Sequence, residues 1–385
     1  MKLYVGGIHL GGAGYPNAAN TLALLRNESS FDVVELGAWL PDDLRLWSVA
    51  RGGKLQLLFF MMHVLWGNLL SLCKVCRACF REAAPVYVPY PSLFFLYFVS
   101  LLPSKLRPFC IADAYISVWD SMFRDRGGAQ SDGFIAGLVR RIEARSLRAA
   151  AVVLVDTQAN KTMFIESFGL SADKVLSLPL AIDDKFFNPI GPVESVKKDS
   201  VITVLFVGTL IPLHGISVLL DAVRLLSLDK RFAFRFVGDG QLSGEVEAFV
   251  EKYQLPQFVW LREWCSLEQI ACEISNADIC LGVFGGAEKA ARVLPFKLYM
   301  YLAAGRAVIT QALLSVPEST PFPPVLTVAP ANAESLADAI LKLADNVEFR
   351  CKLAQESKVY FREWLSNARV FGAWINDIAP RFSER

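Results

Sequence analysis

The chain has 385 residues, 54% of them hydrophobic and 20% charged, a composition that excludes disorder and a length that predicts two domains. With 39 Lys and Arg against 38 Asp and Glu the net charge is +1, so the field of the whole chain draws in no nucleic acid, and any anion site must be local. The balance is uneven: residues 51–148 carry 13 basic and 6 acidic side chains and are the most apolar part of a chain of mean hydropathy +0.37, a combination suited to an anionic membrane surface.

The chain opens with a predicted strand, Leu3–Val5, that runs into a glycine-rich loop and does not read as a basic leader with a cleavage site, so a cytoplasmic protein is expected. A helix from Asn17 and a strand Val33–Leu36 follow. The uncharged run Leu55–Cys73 is long enough to span a bilayer, but Gln56, His63, Asn68 and Ser71 interrupt it, and 54–81 reads as a helix that is buried or lies on a membrane surface. Pro85, Pro89, Pro91 and Pro103 punctuate the next uncharged run, Ala83–Ser104, which predicts strand Val86–Val88 and helix Ser92–Leu102. Strand Phe109–Ala112, helix Phe134–Arg148 and strand Ala151–Val155 complete an alternation that signifies a parallel, doubly wound sheet. This first, Rossmann-like domain spans 1–192 and ends before the polar stretch Val196–Ser200.

A second domain of the same kind spans 200–365. Its predicted elements are strand Val201–Val207, helix Ile216–Leu226, strand Phe232–Val237, helix Leu242–Tyr253, strand Val259–Leu261 and helix Leu267–Ser275. Strand Ile279–Val283, helix Phe296–Ala304, strand Ala307–Thr310 and helices Glu334–Leu343 and Glu348–Leu365 complete it. Residues 366–385 form an amphipathic tail with Phe371, Trp374, Ile375 and Phe382, expected to pack back on the first domain. The eight cysteines, mostly in apolar stretches, read as reduced core residues. Cys73, Cys76 and Cys79 lack the closing Cys-Pro of a cluster motif, and no carboxylate cluster suggests a metal.

Each half places glycine directly after its first strand: Val5-Gly6-Gly7 with Gly11 and Gly12, and Val207-Gly208-Thr209 with His214-Gly215. Glycine lets backbone N–H groups approach an anion, and a following helix N-terminus favours one, so phosphate is the expected guest. Neither loop matches the dinucleotide fingerprint or the P-loop pattern, which argues against an oxidoreductase and an ATPase of those kinds. Lys289, Arg292 and Lys297 fall in the loop and first turn before a helix, where cations repel one another unless an anion lies between them. Asp113, at a strand end, suits orienting an acceptor hydroxyl or taking its proton. His9 lies in the first glycine-rich loop, His63 reads as a core residue, and Asp239 lies between Gly238 and Gly240.

Phe206–Gly215, Phe236–Gly240, Asn276–Gly282 and Leu294–Ile309, in that order, resemble the donor-binding half of the family-4, group 1 retaining glycosyltransferases of GT-B fold; Ala149–Thr157 and Lys174–Asp183 resemble the family's approach to its interdomain linker. The resemblance implies an α/β fold with two Rossmann-like domains facing across a cleft. It further implies a nucleotide-sugar donor held by the second domain and an acceptor held by the first. Donor binding then falls to Gly208, Thr209, His214, Gly238, Asp239, Lys289 and Leu298, with His214 where many relatives place a phosphate-binding lysine. The catalytic set is Asp113, Lys297 and Arg292, and His9, Gly11 and Gly12 form an acceptor or phosphate loop. Met300 and Arg292 stand where relatives carry glutamates, and Asp113 where they carry a histidine.

The expected function is sugar transfer from a nucleoside-diphosphate sugar to a lipid-linked or cell-surface glycan, with retention. The enzyme would be hexosyltransferase-like, independent of metal or other cofactor, and peripheral at the inner face of the cell membrane. The alternative is a catalytically silent subunit that binds a partner glycosyltransferase or a glycan, for which Met300 speaks. A sugar-nucleotide epimerase on the same fold would leave the basic, apolar first domain unexplained.

Overall fold

Runs such as Val152–Val155 and Ile202–Val207 contain no charge and are buried along almost their whole length, as strands must be when helices cover both faces of a parallel sheet. The computed structural model describes residues 1–11, 15–28, 30–41, 53–125, 133–187, 201–262, 265–286 and 288–383. They form two units, Met1–Ala181 with the tail from Asn367, and Ile182–Ser366. The stretch 188–200, where the sequence places the domain boundary, lies outside the described residues. Ile182–Phe187, expected in the first domain, belong to the second unit, because the short helix Asp184–Phe187 packs against helices Leu267–Ser275 and Phe296–Ala303.

The strands of the first unit are β1 (Lys2–Val5), β2 (Ile8–His9), β3 (Asp32–Glu35), β4 (Ala38–Trp39), β5 (Val86–Val88), β6 (Cys110–Asp113), β7 (Val152–Val155) and β8 (Val175–Ser177). Six of them make a parallel sheet in the order β3-β1-β5-β6-β7-β8, and β2 pairs with β4 beside it. Side chains alternate along each strand. Leu3, Val5, Tyr87 and Ile111 meet Leu22 and Leu25 of helix Pro16–Asn27 together with Trp374 of the tail. Tyr4, Val86, Val88 and Ala112 meet helices Lys54–Arg81, Leu93–Leu101 and Phe134–Ala149 on the other face. Trp374 stands edge-on to Tyr87 at 5.3 Å between ring centroids, so the last residues of the chain complete the core of the first unit.

Helix Lys54–Arg81 is two-faced. Val64, Asn68, Ser71, Leu72 and Val75 are buried, while Leu58, Phe59, Met62, Trp66, Leu69 and Leu70 are exposed. His63, expected in the core, is also exposed.

The second unit carries β9 (Ile202–Val207), β10 (Phe232–Val237), β11 (Phe258–Leu261), β12 (Ile279–Leu281), β13 (Ala307–Gln311) and β14 (Leu326–Val328) in the parallel order β11-β10-β9-β12-β13-β14. Phe206, Phe234, Phe236 and Phe284 form the centre of its core with the helix Ile216–Leu225. β12 ends two residues before the predicted Val283, whose N–H turns to the Thr310 side chain, Oγ1 at 3.2 Å, in place of a ladder carbonyl. β14, which the sequence reading leaves out, is a three-residue edge strand with an exposed central Thr327 and only Val328 buried, so it lacks the apolar run that marks β5. The final long helix ends at Tyr360 and continues as a π-helical turn, Phe361–Leu365.

Candidate functional site

In the second unit successive strands leave β9 in opposite directions across the sheet, toward β10 on one side and β12 on the other. The crevice outside the carboxyl ends of such a pair is where doubly wound folds receive ligands. Gly208 follows β9 at φ +147°, a conformation that strongly favours glycine. A Cβ at that position would lie 2.7 Å from Lys297 Nζ and 3.4 Å from His214 Cε1, so Gly208, His214 and Lys297 meet at one point. Gly238, after β10, backs this turn: its own Cβ would lie 2.2 Å from the Gly208 carbonyl oxygen. Tyr301 accepts a hydrogen bond from Val207 N at 2.9 Å and ties the end of β9 to the helix that carries Lys297.

Lys297 is in the first turn of helix Phe296–Ala303, started by Pro295. Its side chain is buried (5% exposed), and among the described residues the ammonium has no hydrogen-bond partner. It lies 3.9 Å from the centroid of the Phe206 ring, a cation–π contact that offsets part of its lost hydration. Burial holds its pKa well below the ordinary lysine range. An unpaired ammonium in such a place is costly by itself and is well matched to an anion.

His214 is buried beside it, its Nδ1 against the Thr209 carbonyl oxygen. Burial, then the charge of Lys297, hold its pKa well below the usual histidine value. The ring is therefore neutral, and the carbonyl selects the tautomer with the proton on Nδ1. Nε2 is left as an acceptor, so the positive charge at this point comes from Lys297.

Lys289 and Arg292 lie on the short helix Glu288–Arg292, which packs against the turn Pro212–His214. Arg292 is buried and faces Glu288 at 3.9 Å. Leu298 is a core residue, its Cδ1 against Gly282. Asp239 accepts from Gly240 N at 2.9 Å and from the Ser243 hydroxyl, and pairs with Arg262 at 3.6 Å; its carboxylate orders the loop after β10. Met300 is buried on the same helix as Lys297.

Two residues passed over in the sequence shape this crevice. Gln311, fully buried at the end of β13, accepts from Gly286 N at 3.0 Å and donates to the Leu313 carbonyl at 2.8 Å. Thr310 Oγ1 accepts from Val283 N at 3.2 Å. Their signal is a pair of polar residues closing an otherwise apolar strand. Gln311→Ala leaves the Gly286 N–H without its partner and should cost about 1–3 kcal/mol of stability; thermal melts of the variant against the parent measure it.

The remaining predicted residues lie in the first unit. Asp113 ends β6 and is 2% exposed. Tyr87 donates to it at 3.0 Å and the Tyr115 N–H at 3.4 Å. Burial pushes its pKa up to about 7 against the opposing hydrogen bonds. Its carboxyl is thus held in an internal network. His9, 0% exposed, has neither ring nitrogen hydrogen-bonded among the described residues and stands edge-on to Trp39 at 4.3 Å; burial pushes its pKa down to about 4. Gly11 is half-buried beside the described end of this loop, and Gly12 lies outside the described residues. Among the described residues no group of three or more His, Cys, Asp or Glu could hold a metal ion, and Cys73, Cys76 and Cys79 are free thiols along one helix.

Residues 201–346 match the family model for glycosyl transferases group 1. No curated protein matches the chain in sequence. In fold, the chain is similar to HepE of Anabaena solved in complex with UDP, at 14% identity and TM-score 0.66 over 100% of both chains. It is similar to sucrose-phosphate synthase of Thermosynechococcus elongatus, at 15% identity and TM-score 0.66 over 98% of this chain and 99% of that one. A glycosyltransferase from Rickettsia africae gives 12% identity and TM-score 0.65 over 100% of both. The parallel sheets and the full-length likeness in fold agree that the chain has the GT-B fold, and its second unit carries the match to the glycosyl transferases group 1 model over residues 201–346.

Proposed function

We propose that the chain transfers a sugar from a nucleoside-diphosphate sugar, held by the second unit, to a glycan or lipid-linked acceptor held by the first. The observation that carries this reading is the buried Lys297 ammonium, without a hydrogen-bond partner among the described residues, beside Gly208 at the carboxyl edge where strand order reverses. HepE has been solved with UDP and with UDP-glucose, which supports uridine diphosphate and its sugars as the first donors to test.

In the proposed step the bond from the anomeric carbon to the diphosphate breaks, and its electron pair leaves with the nucleotide. Lys297 stabilises the charge that grows on the phosphate, which is where preorganised electrostatics contribute most. The acceptor hydroxyl forms the new bond on the same face of the sugar, and its proton passes to the departing phosphate oxygen. Stereochemistry is thereby retained, and no metal or other cofactor is required. With its carboxyl engaged by Tyr87 and the Tyr115 N–H, Asp113 serves in positioning the end of β6.

The acceptor is expected to be a lipid-linked or cell-surface polysaccharide precursor, met by a peripheral protein at the cytoplasmic membrane face. The basic, apolar composition of residues 51–148 supports this part of the reading.

Calorimetric titration with UDP and UDP-sugars tests the donor site. Binding should weaken as pH rises, because burial lowers the pKa of Lys297 and its deprotonation removes the charge that meets the diphosphate. Absence of binding across uridine, guanosine and adenosine diphosphates would sink the donor reading. The buried Met300, in place of the glutamate of relatives, favours the silent-subunit reading instead. Nucleotide affinity that improves on Met300→Glu, with no turnover in the parent, would support that reading.

A further inference from the structure

Helix Lys54–Arg81 is long and apolar enough to cross a membrane by length and composition, yet its two faces are already assigned differently. On the inner face, Asn68 Oδ1 accepts from Ile8 N at 3.1 Å, and Ser71 Oγ accepts from Gly7 N at 2.9 Å and donates to the Leu36 carbonyl at 3.1 Å. Leu72 and Val75 join the core beneath the sheet. Moving this helix into a spanning position would leave two backbone N–H groups without partners and draw β1 and β5 into hydrocarbon, where unpaired backbone is not tolerated.

On the outer face, Leu58, Phe59, Met62, Trp66, Leu69 and Leu70 recur at three- and four-residue spacing. Phe59 is 63% and Trp66 62% exposed. The same stripe continues into the last turns with the exposed basic side chains Lys74, Arg77 and Arg81. An apolar stripe with cations at one end fits a lipid surface with an anionic headgroup layer, where a helix lies in the plane with its apolar face in the acyl boundary.

We propose that this helix is an in-plane anchor on anionic phospholipid, exposed stripe downward, and that its inner face thereby holds the Gly6–Leu10 loop at a fixed distance from the membrane. This deepens the reading of the first unit as the acceptor-binding unit. Asn68 and Ser71 are the rivets: the loop that carries His9 is bonded to the anchoring helix, so a lipid-linked acceptor would meet it at the surface where its own lipid is embedded.

Flotation of the purified full-length chain with phosphatidylcholine vesicles, with and without phosphatidylglycerol, tests this without donor or acceptor. Its outcome is therefore independent of nucleotide titration, and failure here leaves the donor reading standing. The chain should float with the anionic vesicles and be released by alkaline carbonate. Lys74→Glu/Arg77→Glu/Arg81→Glu should weaken partition by about a hundredfold or more, and Phe59→Ser/Trp66→Ser should abolish it, with circular dichroism and melting unchanged because all five side chains are exposed. Retention after carbonate would mean a span and overturn the in-plane assignment. Equal binding to neutral and anionic vesicles, or none to either, would overturn the lipid assignment. So would a concentration-dependent dimer in sedimentation that Phe59→Ser/Trp66→Ser dissolves, which would give the face to a second copy of the chain.

Discussion

Lys297→Met should make the unliganded protein more stable and leave it unable to hold a nucleoside diphosphate. The ammonium is buried without a hydrogen-bond partner, and its depressed pKa is the signature of a group whose charged form the fold disfavours. Methionine keeps a similar length, packs its thioether against Phe206, and removes the buried charge. Removing a buried polar group that lacks a hydrogen bond relieves a desolvation cost of about 1–3 kcal/mol, which corresponds to about 2–4 °C in melting temperature per kcal/mol for a unit of this size. The functional effect runs the other way and is larger. Removing one preorganised group aimed at developing charge costs about a hundredfold to a thousandfold in rate, and His214, neutral with Nδ1 committed to Thr209, supplies no replacement cation. Melts with and without UDP read both effects in one experiment. Undiminished stabilisation of the variant by UDP would remove Lys297 from the diphosphate site; a lower melting temperature without ligand would show that its contact with Phe206 outweighs the cost of burial.

Asp113→Asn should progressively gain stability over the parent protein as pH rises from about 4 to about 7. In the folded chain this carboxyl titrates at about 7, and in the unfolded chain near 4. Below pH 4 it is protonated in both states, and the stability contributed by the neutral form is fully present. As pH rises through the interval the unfolded chain loses its proton first, and parent stability falls by about 1.4 kcal/mol per pH unit, about 4 kcal/mol in all, before levelling above 7. Asparagine does not ionise and retains an oxygen for the Tyr87 hydroxyl. Other buried groups titrate in the same range. Burial also raises Glu143 to about 7, which adds a slope of the same sign, and lowers His9 to about 4, which gives stability that is lost as pH falls below the usual histidine value. The difference between variant and parent at each pH isolates Asp113. Urea titrations from pH 4 to pH 8 measure it, and a difference that stays constant would mean that Asp113 ionises normally in the folded protein.

Much of the architecture was legible in one dimension because strands and helices report themselves through local periodicity. Short uncharged runs such as Val152–Val155 are readable without knowing their neighbours, and so is glycine at the end of a strand, as at Gly208. The same locality explains the misses. β14 is an edge strand with only Val328 buried, and Gln311 looks like any polar residue until the Gly286 N–H is placed against it.

Sequence alone determined that the chain alternates strand and helix in two halves, that each half sets glycine after its first strand, and that Lys297 begins the helix following a glycine-rich loop. Only the tertiary structure decided that Lys297 is stripped of water beside Gly208 and His214, that Tyr301 reaches Val207 across 94 positions, and that Asp113 points into a buried network. It alone placed Trp374 in the core of the first unit and divided helix Lys54–Arg81 into a bonded face and an exposed one. The reason is physical: element type follows from interactions a few residues apart, whereas desolvation, pKa and hydrogen-bond partnership depend on groups that only the folded chain brings within reach.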